Sequence, residues 1–275
     1  MITYLNGRFV SESEAVVPVT DRGFLYGDGV FETLRVQHGE PVWWARHMAR
    51  LERGLSLLRI TLPRRSDELR HHAGELIQQN QLPDSTLRLS ISRGSGRRGY
   101  SIQGADTPTV VMTLHPLVPP PSSLRLATAT IRVPAHDPIA LTKSANKLPH
   151  ILARAEAEER GADEALLLNI AGDVAEASAS NIFWIEGGAV CTPPLADGAL
   201  AGVTREVVLE VCRQHQMPAG EITAPRSRLL GAEAVFLTNS TIGIVPASEI
   251  DAQRIAQSPL VPRLQEWLRD AERLS

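Results

Sequence analysis

The chain has 275 residues, enough to bury a sizeable core in one or two domains, and its 28 basic and 31 acidic residues give a net charge of −3. That balance, with no long run of one sign, argues against a nucleic-acid surface. The opening MITYLNGRFV lacks a basic-then-apolar signal pattern, and no apolar run is long enough to span a bilayer. Cys191 and Cys212 are too few for a disulfide framework and have no metal-ligand spacing, so the expectation is a cytoplasmic protein without membrane, nucleic-acid or metal partners.

The N-terminus reads as a short strand, a turn at Asn6 and Gly7, and a second strand. Glycines 23, 27 and 29 lead into an alternating strand over 30–36. A glycine-rich stretch before a strand is unlike the usual phosphate loops, which run from strand into helix. Residues 43–60 carry Met48, Leu51, Leu55 and Leu58 at helical spacing, with His47 and Arg50 off that stripe. By spacing alone, Arg50 is a solvated helix charge. A second helix is expected over 67–79, then a strand over 87–93, the loop GSGRRGYS with Arg97, Arg98 and Tyr100, and a strand over 109–114. HPLVPPPSS, at 115–123, breaks both periodicities, and its four prolines favour an extended linker. The domain boundary is placed there. It separates an N-terminal α/β domain over 1–116 from a linker over 117–123 and a C-terminal α/β domain over 124–275.

After a strand over 124–133 comes LTKSANKLPHILARAEAEE, at 141–159. Lys143 precedes a helix whose Leu148, Ile151, Leu152 and Ala155 share one face, so the lysine is held by a packed element yet kept off its buried side. An apolar strand over 165–169 is followed by Glu176 in a loop of small residues. Strands over 181–186 and 234–238 enclose a helix starting near Thr204, with Val207, Val208, Val211 and Cys212 apolar. At its start, Gly202-Val203-Thr204 combines free backbone N–H groups, the helix dipole and a hydroxyl, the makings of an anion site. The last helix is expected over 260–268. A lone lysine or loop glutamate is ordinarily solvated. Read as chemistry, the amine is a covalent nucleophile towards a carbonyl, and the acid keeps a ring nitrogen protonated. Lys147 lies four residues from Lys143, so sequence spacing leaves both as candidates for the amine.

Several blocks in fixed order favour the chemical reading: K-S-A-N-x-L, G-A-D-E-A-L-x-L, V-x-E-x-x-x-x-N-I-F, TPPL and G-V-T-R, with D-R-G-x-x-Y-G-D-G-x-F-E upstream. Together they resemble the class IV pyridoxal-phosphate enzymes, a family of branched-chain aminotransferases, D-amino acid aminotransferases and aminodeoxychorismate lyases. The likeness runs from about residue 21 to about 246. It implies an α/β fold of the α+β type, the two-domain fold type IV like that of D-amino acid aminotransferase, with the cofactor between the domains and a homodimer. It also implies pyridoxal 5′-phosphate as cofactor, with Lys143 in the C-terminal domain as its covalent anchor. Glu176 would serve the ring nitrogen, and Arg50, Val203, Thr204 and Ser240 the phosphate. The strand holding Phe31 would line a pocket for a small-molecule substrate.

Two features point within the family to the lyase, which releases pyruvate from 4-amino-4-deoxychorismate to give 4-aminobenzoate. The wording of the RGSGRRGYS loop is close to that of the lyases and offers Arg98 and Tyr100 as carboxylate donors. Thr33 stands where such lyases have a threonine near the leaving group, and its hydroxyl suits proton relay, though threonine is also a plain strand residue. A class IV aminotransferase acting on D-amino acids or branched-chain L-amino acids is the alternative. Lys147 departs from the tyrosine or arginine usual at its place.

Overall fold

The structure is a computed structural model and describes residues 1–62 and 64–274. It is a mixed α/β chain that divides into two compact units, one of 1–118 with Thr142–Asn146 and one of 119–141 with 147–275. The segment holding Lys143 thus groups with the first unit, whereas the sequence reading puts that lysine in the C-terminal domain. No helix among the described residues is long and apolar enough to cross a membrane.

The first unit contains β1 (Ile2–Leu5), β2 (Arg8–Ser11), α1 (Arg22–Tyr26), β3 (Gly29–Gln37), β4 (Glu40–Pro41), α2 (Trp44–Leu58), α3 (Ser66–Asn80), β5 (Ser85–Ser92) and β6 (Thr109–Pro116). Its strands form one antiparallel sheet in the order β2-β1-β6-β5-β3-β4. Strand alternation divides the residues between two faces. Val30, Leu34 and Val36 of β3, Leu87, Leu89 and Ile91 of β5, and Met112 and Leu114 of β6 join Met48, Leu51 and Leu55 of α2 and Leu69 and Leu76 of α3 in one core. The other face carries half-buried or exposed residues, among them Phe31, Thr33 and Arg88.

The second unit contains β7 (Leu124–Val133), α4 (Leu148–Glu159), β8 (Glu164–Asn169), β9 (Val174–Ala177), β10 (Asn181–Glu186), β11 (Ala189–Thr192), α5 (Val203–Gln214), β12 (Ala219–Glu221), α6 (Arg226–Leu230), β13 (Ala234–Asn239), β14 (Gly243–Ile250), β15 (Gln253–Arg254) and α7 (Leu260–Arg273). The main sheet runs β12-β11-β10-β13-β14-β7-β8-β9. The β14–β7, β7–β8 and β11–β12 pairs are parallel.

The expected apolar face of α4 is not its buried face. Leu148, Ile151 and Leu152 are 63%, 61% and 49% exposed, while Ala153 and Ala157 are buried. Those alanines pack with Ala127, Ala129, Ala165 and Ala175. Small residues let the helix backbone approach the sheet closely, so packing against the sheet selected the alanine side over the bulkier stripe.

Candidate active site

In the first unit the residues before β3 are fixed by two carboxylates. Asp21 caps α1 by accepting from the Gly23 N–H at 2.7 Å, and it also takes the hydroxyls of Ser92 and Thr109 at 2.9 and 2.7 Å. Asp28 accepts from Arg22 Nε and Arg93 Nε, each at 2.8 Å. Burial alone would raise the Asp28 pKa, but the two guanidinium groups outweigh it and hold it below the ordinary carboxylate range. Gly29 must be glycine because a Cβ there would meet the Ile91 carbonyl oxygen at 2.6 Å.

β3 then sends alternate side chains to opposite faces. Glu32 faces the core, 1% exposed, where it accepts from Arg50 Nε at 2.8 Å, Arg50 Nη2 at 2.5 Å and His47 Nδ1 at 2.7 Å. His47 and Arg50 lie three residues apart on α2 and are themselves 1% and 5% exposed. Arg50 is therefore not a solvated helix charge. Desolvation would raise Glu32, but the bonds from Arg50 and His47 win and bring its pKa down to about 2. His47 is lowered from its usual value, chiefly by burial, against the pull of the Glu32 carboxylate.

On the other face, Lys143 is held beside the start of β3. Its carbonyl accepts from Phe31 N–H at 2.9 Å, Ala145 N–H donates to the Gly29 carbonyl at 3.0 Å, and Ser144 bridges Val30. The Lys143 ammonium lies 4.6 Å from the centroid of the Phe31 ring. Thr33, two residues along, shares that face and stands opposite Arg88 of β5 in the register. The Arg88 guanidinium carbon is 3.9 Å from the same Phe31 centroid. The chain thus brings together Lys143, Phe31, Thr33 and Arg88. Packing around the Arg88 head lowers its pKa from the ordinary guanidinium value, although the side chain keeps an exposed edge. Beside them, a cavity of about 190 Å³ is lined by Phe31, Arg88, Ser90, Val111 and Ala145 among others.

Arg98 and Tyr100 are exposed on a loop packed against α1. Gly99 N–H donates to the Tyr26 hydroxyl at 2.9 Å, and the Tyr100 ring, 89% exposed, makes an edge contact with Tyr26. Among the described residues, no hydrogen bond, ion pair or ring contact joins either of them to Phe31, Thr33 or Lys143.

In the second unit, Glu176 lies in β9, not in a loop, opposite Leu167 of β8. It is 6% exposed. Oε1 is 2.9 Å from His150 Nε2, and Oε2 accepts the Leu200 N–H at 2.9 Å. Each carboxylate oxygen keeps capacity for a further donor. Gly202 is the N-cap of α5, with backbone angles of −69° and 135°. A Cβ there would run into Asn181 Oδ1 at 1.9 Å. Val203 and Thr204 form the first turn, 3% and 2% exposed, and the Thr204 hydroxyl oxygen is buried with no hydrogen-bond partner among the described residues. After β13, Asn239 Oδ1 accepts from Thr241 N–H at 2.9 Å, Thr241 Oγ1 at 2.8 Å and Ile242 N–H at 3.0 Å, tying the turn that carries half-buried Ser240.

Sequence reading missed Glu32, Arg88 and His150. Glu32 could have been found, since it is a charge at the core-facing phase Val30-Glu32-Leu34-Val36 and so demands a buried partner. His150 is in phase with Ala153 and Ala157, but only the true packing face reveals this. Arg88 carried no such signal.

The profile of the class IV amino-transferase family matches residues 29–250. A Methanocaldococcus jannaschii protein named as a branched-chain-amino-acid aminotransferase is 34% identical over 258 residues, covering 93% of this chain and 90% of its own. The aminodeoxychorismate lyase of Bacillus subtilis is 33% identical over 252 residues, covering 90% and 86%. A branched-chain amino acid aminotransferase of T.th., solved with pyridoxamine 5′-phosphate, superposes with a TM-score of 0.92 at 26% identity, covering 100% of this chain and 95% of that one. With its fold, its matched span and these relatives in agreement, the chain belongs to the class IV aminotransferases, enzymes that work with pyridoxal phosphate.

Proposed function

We propose that the protein is an aminodeoxychorismate lyase, forming 4-aminobenzoate and pyruvate in folate-precursor synthesis. The observation that carries the reading is the shared face of β3. There Thr33 follows Phe31 by two residues, and the Lys143 ammonium sits over the Phe31 ring. A hydroxyl beside the reacting amine suits an elimination whose departing oxygen needs a proton.

The residues present fit the cofactor. The buried, unpartnered Thr204 hydroxyl at the start of a helix is a donor awaiting an oxyanion, and the N–H groups of the first turn add to it. Val203, Thr204 and Ser240 would hold the phosphate, with Arg50 fixed in orientation by Glu32. Glu176, buried and already positioned by His150 and Leu200, would face the ring nitrogen. When bound, the cofactor supplies an electron sink for the bond that breaks. Lys143 would anchor it covalently and afterwards carry the proton at the reacting carbon. Thr33 would pass a proton to the leaving oxygen, while Arg98 and Tyr100 offer donors to substrate carboxylates. The reading includes a cytoplasmic homodimer. The exposed Leu148, Ile151 and Leu152 support the dimer, and two free, buried cysteines suit a reducing compartment.

Thr204→Val, which keeps the shape and removes the donor, is expected to weaken cofactor affinity by roughly tenfold, read by titrating apoenzyme with the cofactor. An unchanged affinity would remove Thr204 from the phosphate site.

The experiment for the function offers the loaded enzyme aminodeoxychorismate in one tube and D-alanine or L-leucine with 2-oxoglutarate in another. 4-Aminobenzoate and pyruvate in the first tube establish the lyase. Thr33→Val should then lower kcat by about 10²-fold with the cofactor spectrum intact, and Thr33→Ser should retain most of the rate. Glutamate in the second tube alone makes the enzyme an aminotransferase for D-amino acids or branched-chain L-amino acids, a reading that the M. jannaschii relative supports.

A further inference from the structure

The open face of β3 and β5 carries a cation that no acid among the described residues answers. The buried guanidinium groups of this unit have carboxylates: Arg50 has Glu32, and Arg22 and Arg93 share Asp28. Arg88 differs. Among the described residues it makes no hydrogen bond and no ion pair, and its guanidinium rests instead on the Phe31 ring at 3.9 Å.

The Lys143 ammonium approaches the same ring at 4.6 Å. A guanidinium that rests on an aromatic face and meets no acid keeps its N–H donors for an anion brought from outside the chain. Arg88 also stands directly across the strand pair from Thr33. Side chains directly opposite in an antiparallel pair have their Cβ atoms about 5 Å apart. The anion Arg88 takes therefore lies next to the Thr33 hydroxyl. A guanidinium offers two parallel N–H donors, which match the two oxygens of a carboxylate.

We propose that Arg88 is a substrate-binding residue that takes the carboxylate of the departing three-carbon acid, so that this face recognises a small 2-oxo acid beside Thr33. The choice of the leaving group's carboxylate rests on the lyase reading of Thr33. A carboxylate fixed there aligns the departing oxygen with the hydroxyl that protonates it.

The test uses the enzyme loaded with pyridoxal phosphate, at one fixed low salt concentration, with pyruvate as the probe and calorimetric titration as the readout. Arg88→Gln is expected to weaken pyruvate binding at least tenfold, leaving the visible spectrum and cofactor affinity unchanged. Arg88→Lys keeps the charge without the fork and should fall between the two. If Arg88→Gln binds pyruvate within twofold of wild type, or wild type does not bind it, the proposal is overturned. The lyase reading fails separately. Should no 4-aminobenzoate form while Arg88→Gln still loses pyruvate, the anion site stands and the reaction assignment falls.

Discussion

Lys143→Ala is expected to lose the visible absorption of the lysine-bound cofactor and to lower turnover by at least about 10⁴-fold, since one substitution removes both the covalent anchor and the proton carrier. This lysine is singled out by how its backbone is held. Its carbonyl accepts from Phe31 N–H, and its neighbours Ser144 and Ala145 pair with Val30 and Gly29, so the amine is referred to β3. Lys147 is the N-cap of α4 and takes no part in that pairing with β3. Lys147→Ala should therefore keep the absorption band, with any loss confined to substrate affinity. A mutant pair behaving the other way round would reassign the amine.

Glu32→Gln is expected to be the most destabilising single change in the site region. It leaves the Arg50 charge, 5% exposed, without the Glu32 carboxylate, and turns one of the two oxygens that accept from Arg50 and His47 into an NH2 donor. Breaking a buried pair from one side costs about 3–5 kcal/mol, a fall in melting temperature on the order of 10 °C. The pH dependence follows from the signs. Glu32 is depressed from 4.5 to about 2, so its contribution is complete above its unfolded value and is lost as pH falls towards about 2. That shift corresponds to about 3 kcal/mol. His47 is also lowered, from 6.5, so below that pH the unfolded chain takes up a proton that the folded one resists. Both groups therefore make the wild type lose stability on acidification. The Glu32 share of the gap between wild type and Glu32→Gln is complete above about pH 4.5 and should narrow as pH falls towards 2. Denaturant melts of both proteins across that range measure it, and equal stability at neutral pH would contradict the buried-pair account.

The sequence was most legible where alternation and helical spacing coincide with burial. β7 and β10 fall where the apolar pattern puts them, and the N-terminal hairpin begins at Asn6 and Gly7, whose φ values of 49° and 91° suit the turn. It was least legible where packing decides between two faces. The apolar stripe of α4 stands out by size, yet the helix buries alanines because only small side chains allow the close approach to β7 and β8. Glu176 looks like loop because VAEASAS has little strand character, but main-chain pairing with β8 makes a strand of its first four residues. The same limit applies to Arg88. Its partner is an aromatic ring on the next strand, and only the register of β3 against β5 shows that.

Which amine carries the cofactor is settled most directly by reducing the loaded enzyme with borohydride, digesting it and locating by mass the peptide that retains the cofactor. The modification is expected on Lys143, in the segment paired with β3. Modification of Lys147, with Lys143 unlabelled, would contradict the account at its centre.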